Sequence, residues 1–146
     1  LTARPPASPR PPTARAVAAQ VILRTERDGA FAAAVLDAEM ERAAQLSARD
    51  RALATELVYG ALRFLPWIDE RIAAYATRPI AKMDPLARAH LELATYQLFF
   101  LTRVPAFAAV NEAVNEVRLG RAREVSAFVN AVLRKLSAEA ARGPVD

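Results

Sequence analysis

From Thr13 onward the apolar residues recur at three- and four-residue intervals, and no stretch alternates with the two-residue rhythm of a strand. Val17, Val21 and Ile22 share one face of a first helix that Thr13 can cap and Gly29 can end. An Ala-rich second helix is expected from Phe31 to about Gln45. Ser47-Ala48-Arg49-Asp50 has the form of a capping box, and the helix behind it runs to about Phe64 with Leu53, Leu57, Ala61 and Leu62 on one side. Pro66 opens a short fourth helix carrying Trp67, Ile68, Ile72 and Tyr75. Asp84-Pro85 is a cap followed by proline at the first helical position. The fifth helix, Pro85 to about Thr102, is apolar nearly all round, which places it at the centre of a bundle. A sixth helix starts at Pro105 and stops at Gly120. The last carries Val125, Phe128, Val129, Val132, Leu133 and Leu136 at helical spacing and ends by Gly143-Pro144. The expectation is an all-α bundle of about seven helices.

Residues 1–12 break the pattern. Pro5, Pro6, Pro9, Pro11 and Pro12 stand there with almost nothing apolar, so a Pro/Arg-rich arm without a core is expected, followed by one domain over 13–142. The first residue is Leu1 rather than Met, which suggests trimming or a piece of a longer protein. At 53% hydrophobic and 25% charged the rest is ordinary globular sequence. No apolar run approaches the roughly 20 residues that span a bilayer. The lack of Cys excludes disulfides, thiolate metal sites and Cys nucleophiles, and makes the cytoplasm the simplest location.

Net charge is +4 with a pI near 10.1, and 18 of the 20 basic residues are Arg. Arg4, Arg10, Arg15 and Arg24 all precede the first acid, Glu26. Such a balance favours a polyanionic partner, although a GC-rich genome also favours Arg. Chemistry beyond that is thin. No glycine-rich loop cradles a phosphate, so no cofactor is expected. The single histidine, His90, reads as a packed core residue, and Glu39/Glu41 and Glu112/Glu116 read as solvated helix positions rather than acid/base pairs. No metal-ligand spacing stands out. Gly60 within a helix costs about 1 kcal/mol relative to Ala, and close packing against it is the expected reason.

Several stretches resemble the NusB family. They are Val104-Pro105-Ala106-Phe107-Ala108-Ala109-Val110-Asn111-Glu112-Ala113-Val114 and Phe128-Val129-Asn130-Ala131-Val132-Leu133, preceded in order by Glu56-Leu57-Val58-Tyr59-Gly60, Trp67-Ile68-Asp69 and Leu91-Glu92-Leu93-Ala94-Thr95-Tyr96-Gln97-Leu98. The resemblance runs from about Thr13 to Leu136. Asn111 and Asn130 are expected to tie neighbouring helices by hydrogen bonds. The family's domain occurs as a free transcription antitermination factor that binds boxA RNA with a ribosomal protein, and as the N-terminal part of Sun-type ribosomal RNA cytosine-C5 methyltransferases. Arg49-Asp50-Arg51-Ala52-Leu53-Ala54-Thr55-Glu56-Leu57-Val58-Tyr59-Gly60 and Arg78-Pro79-Ile80-Ala81-Lys82-Met83-Asp84-Pro85 look more like the second. In that family the cofactor site and catalytic Cys lie in a later domain, so the resemblance implies an RNA-binding, non-catalytic part here.

The resemblance also implies an RNA surface at the start of the first helix and on the final helices. It selects Arg10, Arg15, Arg121, Arg123, Ser126 and Arg134, with Lys135 adding charge. Few exposed aromatics are expected, and hence modest sequence preference. Three readings stay open: an RNA-targeting module of an rRNA methyltransferase, a free antitermination factor, and a protein-interaction domain that does not bind RNA.

Overall fold

The computed structural model describes residues 11–143, and among them all regular structure is helical. Seven α-helices occur: α1 (Ala14–Asp28), α2 (Ala32–Arg42), α3 (Ala48–Arg63), α4 (Leu65–Tyr75), α5 (Pro85–Phe100), α6 (Ala106–Leu119) and α7 (Ser126–Ala141). Two short 3-10 turns, Ile80–Lys82 and Arg123–Val125, precede α5 and α7 and were not expected from periodicity.

Local chemistry sets most of the boundaries. Thr13 Oγ1 accepts the amide of Ala16 at 3.0 Å, and Gly29 ends α1 in the left-handed region at φ 66°. Ser47 Oγ accepts the amide of Asp50 at 3.1 Å, and Asp84 caps α5 by accepting from Ala87 at 3.0 Å. Helix α2 is shorter than expected, because the chain turns at Ala43. Arg51 from α3 reaches back there. Its guanidinium donates to the carbonyls of Met40, Ala43 and Leu46, each at 3.3 Å, and so ties α3 to the end of α2 and the turn that follows it.

Helix α5 occupies the centre, as its all-round apolarity predicted, and packs against α1, α3, α4, α6 and α7. Leu91, Leu93 and Ala94 meet Ile22, Leu57, Ile68, Ile72, Val129, Leu133 and Leu136 in one continuous core. His90 is buried there as expected. Gly60 on α3 faces the ring of Tyr96 on α5 so closely that a Cβ would overlap its Oη and Cζ. Phe128 departs from the expected stripe. It packs against the core only in part, and the Arg78 guanidinium covers its ring 4.5 Å from the centroid.

Charged ties span the bundle. Arg71 and Tyr75 of α4 both donate to Glu139 of α7, at 3.2 and 2.6 Å, and the Tyr75 hydrogen bond holds the Glu139 carboxyl below its ordinary pKa. Arg88 of α5 donates to Asp69 on α4 and to Glu92 one turn along, each at 3.1 Å. Glu92 is buried. Desolvation, reinforced by the neighbouring Asp69 carboxylate, pushes its carboxyl up to about 9, so it holds its proton at neutral pH.

Candidate nucleic-acid interface

Helices α1, α3 and α6 begin at the same end of the bundle, around an open cleft of about 710 Å³ lined by Arg15, Ser47, Arg49, Glu56, Arg103 and Pro105. Each helix start carries a partial positive charge from amides without intrahelical partners. Thr13 and Ser47 take up one amide apiece, whereas Pro105 before α6 offers no side-chain cap. Arg49 is exposed on the first turn of α3, and Arg103, in the α5–α6 connection, is 69% exposed while pairing with Glu56 at 2.6 Å. A cleft built this way suits an anion, since two exposed guanidiniums stand over three helix starts.

Arg15 is part of this cleft but is not a mobile cation. Its Nε donates to Gln97 Oε1 at 2.8 Å and its Nη1 pairs with Glu112 at 2.6 Å, leaving the side chain 17% exposed. It ties the first turn of α1 to α5 and α6. Gln97 is itself buried and donates to the Leu93 carbonyl at 3.0 Å, so the tether has a fixed anchor.

The remaining sequence-selected residues lie elsewhere. Arg121 and Arg123 are exposed beyond the far end of α6, whose 14 residues span about 21 Å. There Arg121 comes within 3.9 Å of Asp84, the cap of α5. Ser126 is half-buried at the first position of α7, and its hydroxyl does not cap that helix, because the 3-10 turn puts Val125 in the cap position. Arg134 and Lys135 are exposed more than two turns along α7, where Arg134 borders a groove with Phe107 and Asn111. Asn111 is exposed in that groove rather than tucked between helices. Arg10 lies outside the described residues, as does most of the Pro-rich arm, which joins the fold at Thr13 beside the cleft. The five selected positions among the described residues therefore do not form one patch.

Sequence reasoning also missed the aromatic surface. Phe31, Tyr59, Trp67, Phe100 and Phe107 are all exposed, contrary to the expectation of few. Phe100 stacks between Phe64 (4.5 Å) and Tyr96 (5.2 Å), and Trp67 meets Phe99 and Phe100 edge-on at 5.1 and 5.4 Å. The recoverable signal was Tyr59 and Arg63 at i and i+4 on α3, which must share a face. Among the described residues no helix is long and apolar enough to cross a membrane.

Comparison with known proteins bears on what this geometry serves. Residues 12–138 match the NusB family. A probable ribosomal RNA small subunit methyltransferase B from Synechocystis is 40% identical over 102 residues, 68% of this chain and 23% of that protein. The Bacillus subtilis protein of the same description is 30% identical over 86% of this chain and 28% of its own length. The chain thus spans about a quarter of these relatives. The transcription antitermination protein NusB of Shewanella sp. (strain W3-18-1) is 36% identical over 86% of this chain and 92% of its own. The fold resembles that of the antitermination factors NusB and NusE in complex with dsRNA, with a TM-score of 0.79, 23% identity and coverage of 86% and 94%. It also resembles NusB from Aquifex aeolicus, with a TM-score of 0.74, 22% identity and 91% of each chain covered.

Proposed function

The chain belongs to the NusB family, and from that premise we propose that it is an RNA-binding module whose contact surface centres on the cleft where α1, α3 and α6 begin. The observation that carries this reading is the convergence of three helix starts with Arg49 and Arg103 at the place where the Arg-containing arm joins the fold. Arg49 and Arg103 take phosphates, and Arg15 holds the wall of the cleft. Arg121, Arg123 and Ser126 belong to a separate, distal contact that only a longer RNA reaches, whereas Arg134 lies beside the first turns of α6.

In the reading we favour, the module targets ribosomal RNA for a cytosine-C5 methyltransferase whose cofactor site and catalytic Cys lie in another part of the polypeptide. The likeness to the methyltransferase B proteins and the Arg49–Gly60 and Arg78–Pro85 segments support it. The second reading, a free cytoplasmic antitermination factor acting with a ribosomal protein, is supported by the Shewanella NusB relative matched over 92% of its own length. A reading frame that continues past Asp146 into a cofactor-binding domain with Cys motifs supports the first reading, and a stop codon the second.

RNA binding itself is tested by mobility shift at two salt concentrations. Arg49→Ala and Arg103→Ala should each weaken binding to every sequence alike and flatten the log–log salt slope by about 0.7 on single strands. Wild-type protein that shifts no RNA at low salt would overturn the reading in favour of a protein-interaction domain.

A further inference from the structure

Resting on the RNA-binding reading, we propose that the exposed face of α3 and the aromatic cluster at its far end form a track for single-stranded RNA, with Tyr59 and Trp67 as base-stacking platforms. Arg49, Ala52, Glu56, Tyr59 and Arg63 recur at three- and four-residue steps, so they line one face of the helix, and each is exposed or half-buried. From Arg49 to Arg63 this face is about 21 Å long. It begins in the cleft and ends where the Arg63 guanidinium lies 5.3 Å from the Phe64 ring centroid. Phe64 stacks on Phe100, and Trp67 stands against Phe100, so the aromatic surface continues the line onto α4 and α5. Beside it, Thr102 borders the aromatic groove and Arg103 borders the cleft, which joins the two regions along a second edge.

The chemistry selects a polyanion with flat faces. Arginines, Arg49 and Arg63, stand exposed at the two ends of the strip. Glu56, the acid within the strip, is already neutralised by Arg103 at 2.6 Å. Tyr59 is 46% and Trp67 39% exposed, enough to offer ring surface. Phe100 already stacks on both sides, which leaves Tyr59 and Trp67 as the platforms. A duplex buries its base faces, so this surface discriminates for unpaired nucleotides. At about 3.4 Å per stacked nucleotide, the α3 face accommodates roughly six.

Trp67 is the sole tryptophan of the chain, so its fluorescence reports the end of the track. The experiment titrates the whole chain with a 12-nucleotide oligouridine and with a duplex RNA of the same length. Saturable quenching of Trp67 by the single strand is expected, with little by the duplex. Tyr59→Ala should weaken single-strand binding by roughly fivefold or more while leaving the salt slope unchanged, because it removes a stacking contact and no charge. Tyr59→Phe, which keeps the ring, should restore it. Single-strand binding that depends on Arg49 and Arg103 but leaves Trp67 emission and Tyr59→Ala affinity unmoved would overturn the track and spare the cleft. Absence of RNA binding would overturn both. An emission change that follows protein concentration alone would assign the aromatic surface to a second copy of the chain, again overturning the track.

Discussion

Gly60→Ala probes the close approach of α3 to the Tyr96 ring on α5. In an open helix the change would stabilise by about 1 kcal/mol, because alanine loses less backbone entropy on folding. Here the new methyl group would overlap Oη and Cζ of Tyr96 and lie 2.8 Å from Cε1. Tyr96 is buried and stacked on Phe100 at 5.2 Å, so the ring cannot swing away without breaking that contact. Overpacking costs about 1–3 kcal/mol. Losing the aromatic pair costs about 0.5–1.5 kcal/mol more. Against the propensity gain, the net loss comes to roughly 0.5–3.5 kcal/mol, centred near 2. For a chain of this size that lowers Tm by about 4–8 °C. Urea unfolding with a shared m-value gives the free energy, and calorimetry the Tm. Combining Gly60→Ala with Tyr96→Leu separates the clash from other effects, since in that background the alanine should be neutral or stabilising. If Gly60→Ala alone raised Tm, Tyr96 would not be seated against α3 and the packing argument would fail.

Other outcomes follow from the same structure. Glu92 has a carboxyl pushed up to about 9, so its own contribution to stability is fullest below the ordinary carboxyl range and falls as pH rises towards 9, by up to about 1.4 kcal/mol per unit. Glu92→Gln imitates the protonated acid and should flatten that dependence in urea titrations at pH 6 and 9; an unchanged slope would mean that Glu92 is not its source. Arg15→Ala removes the Gln97 and Glu112 contacts and should cost about 1–3 kcal/mol, more than the near-zero loss expected of an exposed arginine. A thermal melt identical to wild type would show that Arg15 is not a tether. Phe128→Ala should cost about 1–2 kcal/mol rather than the 3–5 typical of a fully buried Phe, because the ring is half-exposed beneath Arg78. A loss above 3 kcal/mol in urea unfolding would place that ring in the core.

The helices were legible because their causes are local. The caps at Thr13, Ser47 and Asp84 and the stop at Gly29 all act within a few residues, and the apolar spacing of α5 announced its central position. The candidate site was legible only in part. Whether an arginine is free for a ligand depends on partners distant in sequence, and Arg15 meets Gln97 and Glu112 only once α5 and α6 have docked on α1. Arg49 and Arg103 gain their setting from three helix starts that no local pattern shows to be neighbours. The 3-10 turn before α7 was not legible either, and it puts Val125 rather than a polar residue in the cap position. The all-round apolarity of α5 gave no sign that its last turn emerges from the bundle, where Phe100 is exposed beside Trp67. A single acid within an apolar helix gave no sign that Glu92 would meet Asp69 across the Arg88 guanidinium.

The position of α2 has a consequence for how the fold opens. Its packing partners are α1 and α3, and it buries only Val35 and Leu36, whereas α5 touches five helices. Backbone amides in α2 can therefore reach solvent through a partial opening that leaves the rest of the bundle assembled, while those in the middle of α5 exchange with deuterium only when the whole chain unfolds. The Arg51 fork spans the junction between these regimes, since it closes the end of α2 from a helix that stays in place. Amide exchange should thus show two tiers, and removing the fork should speed the α2 tier while leaving the rate relative to global unfolding in α5 unchanged.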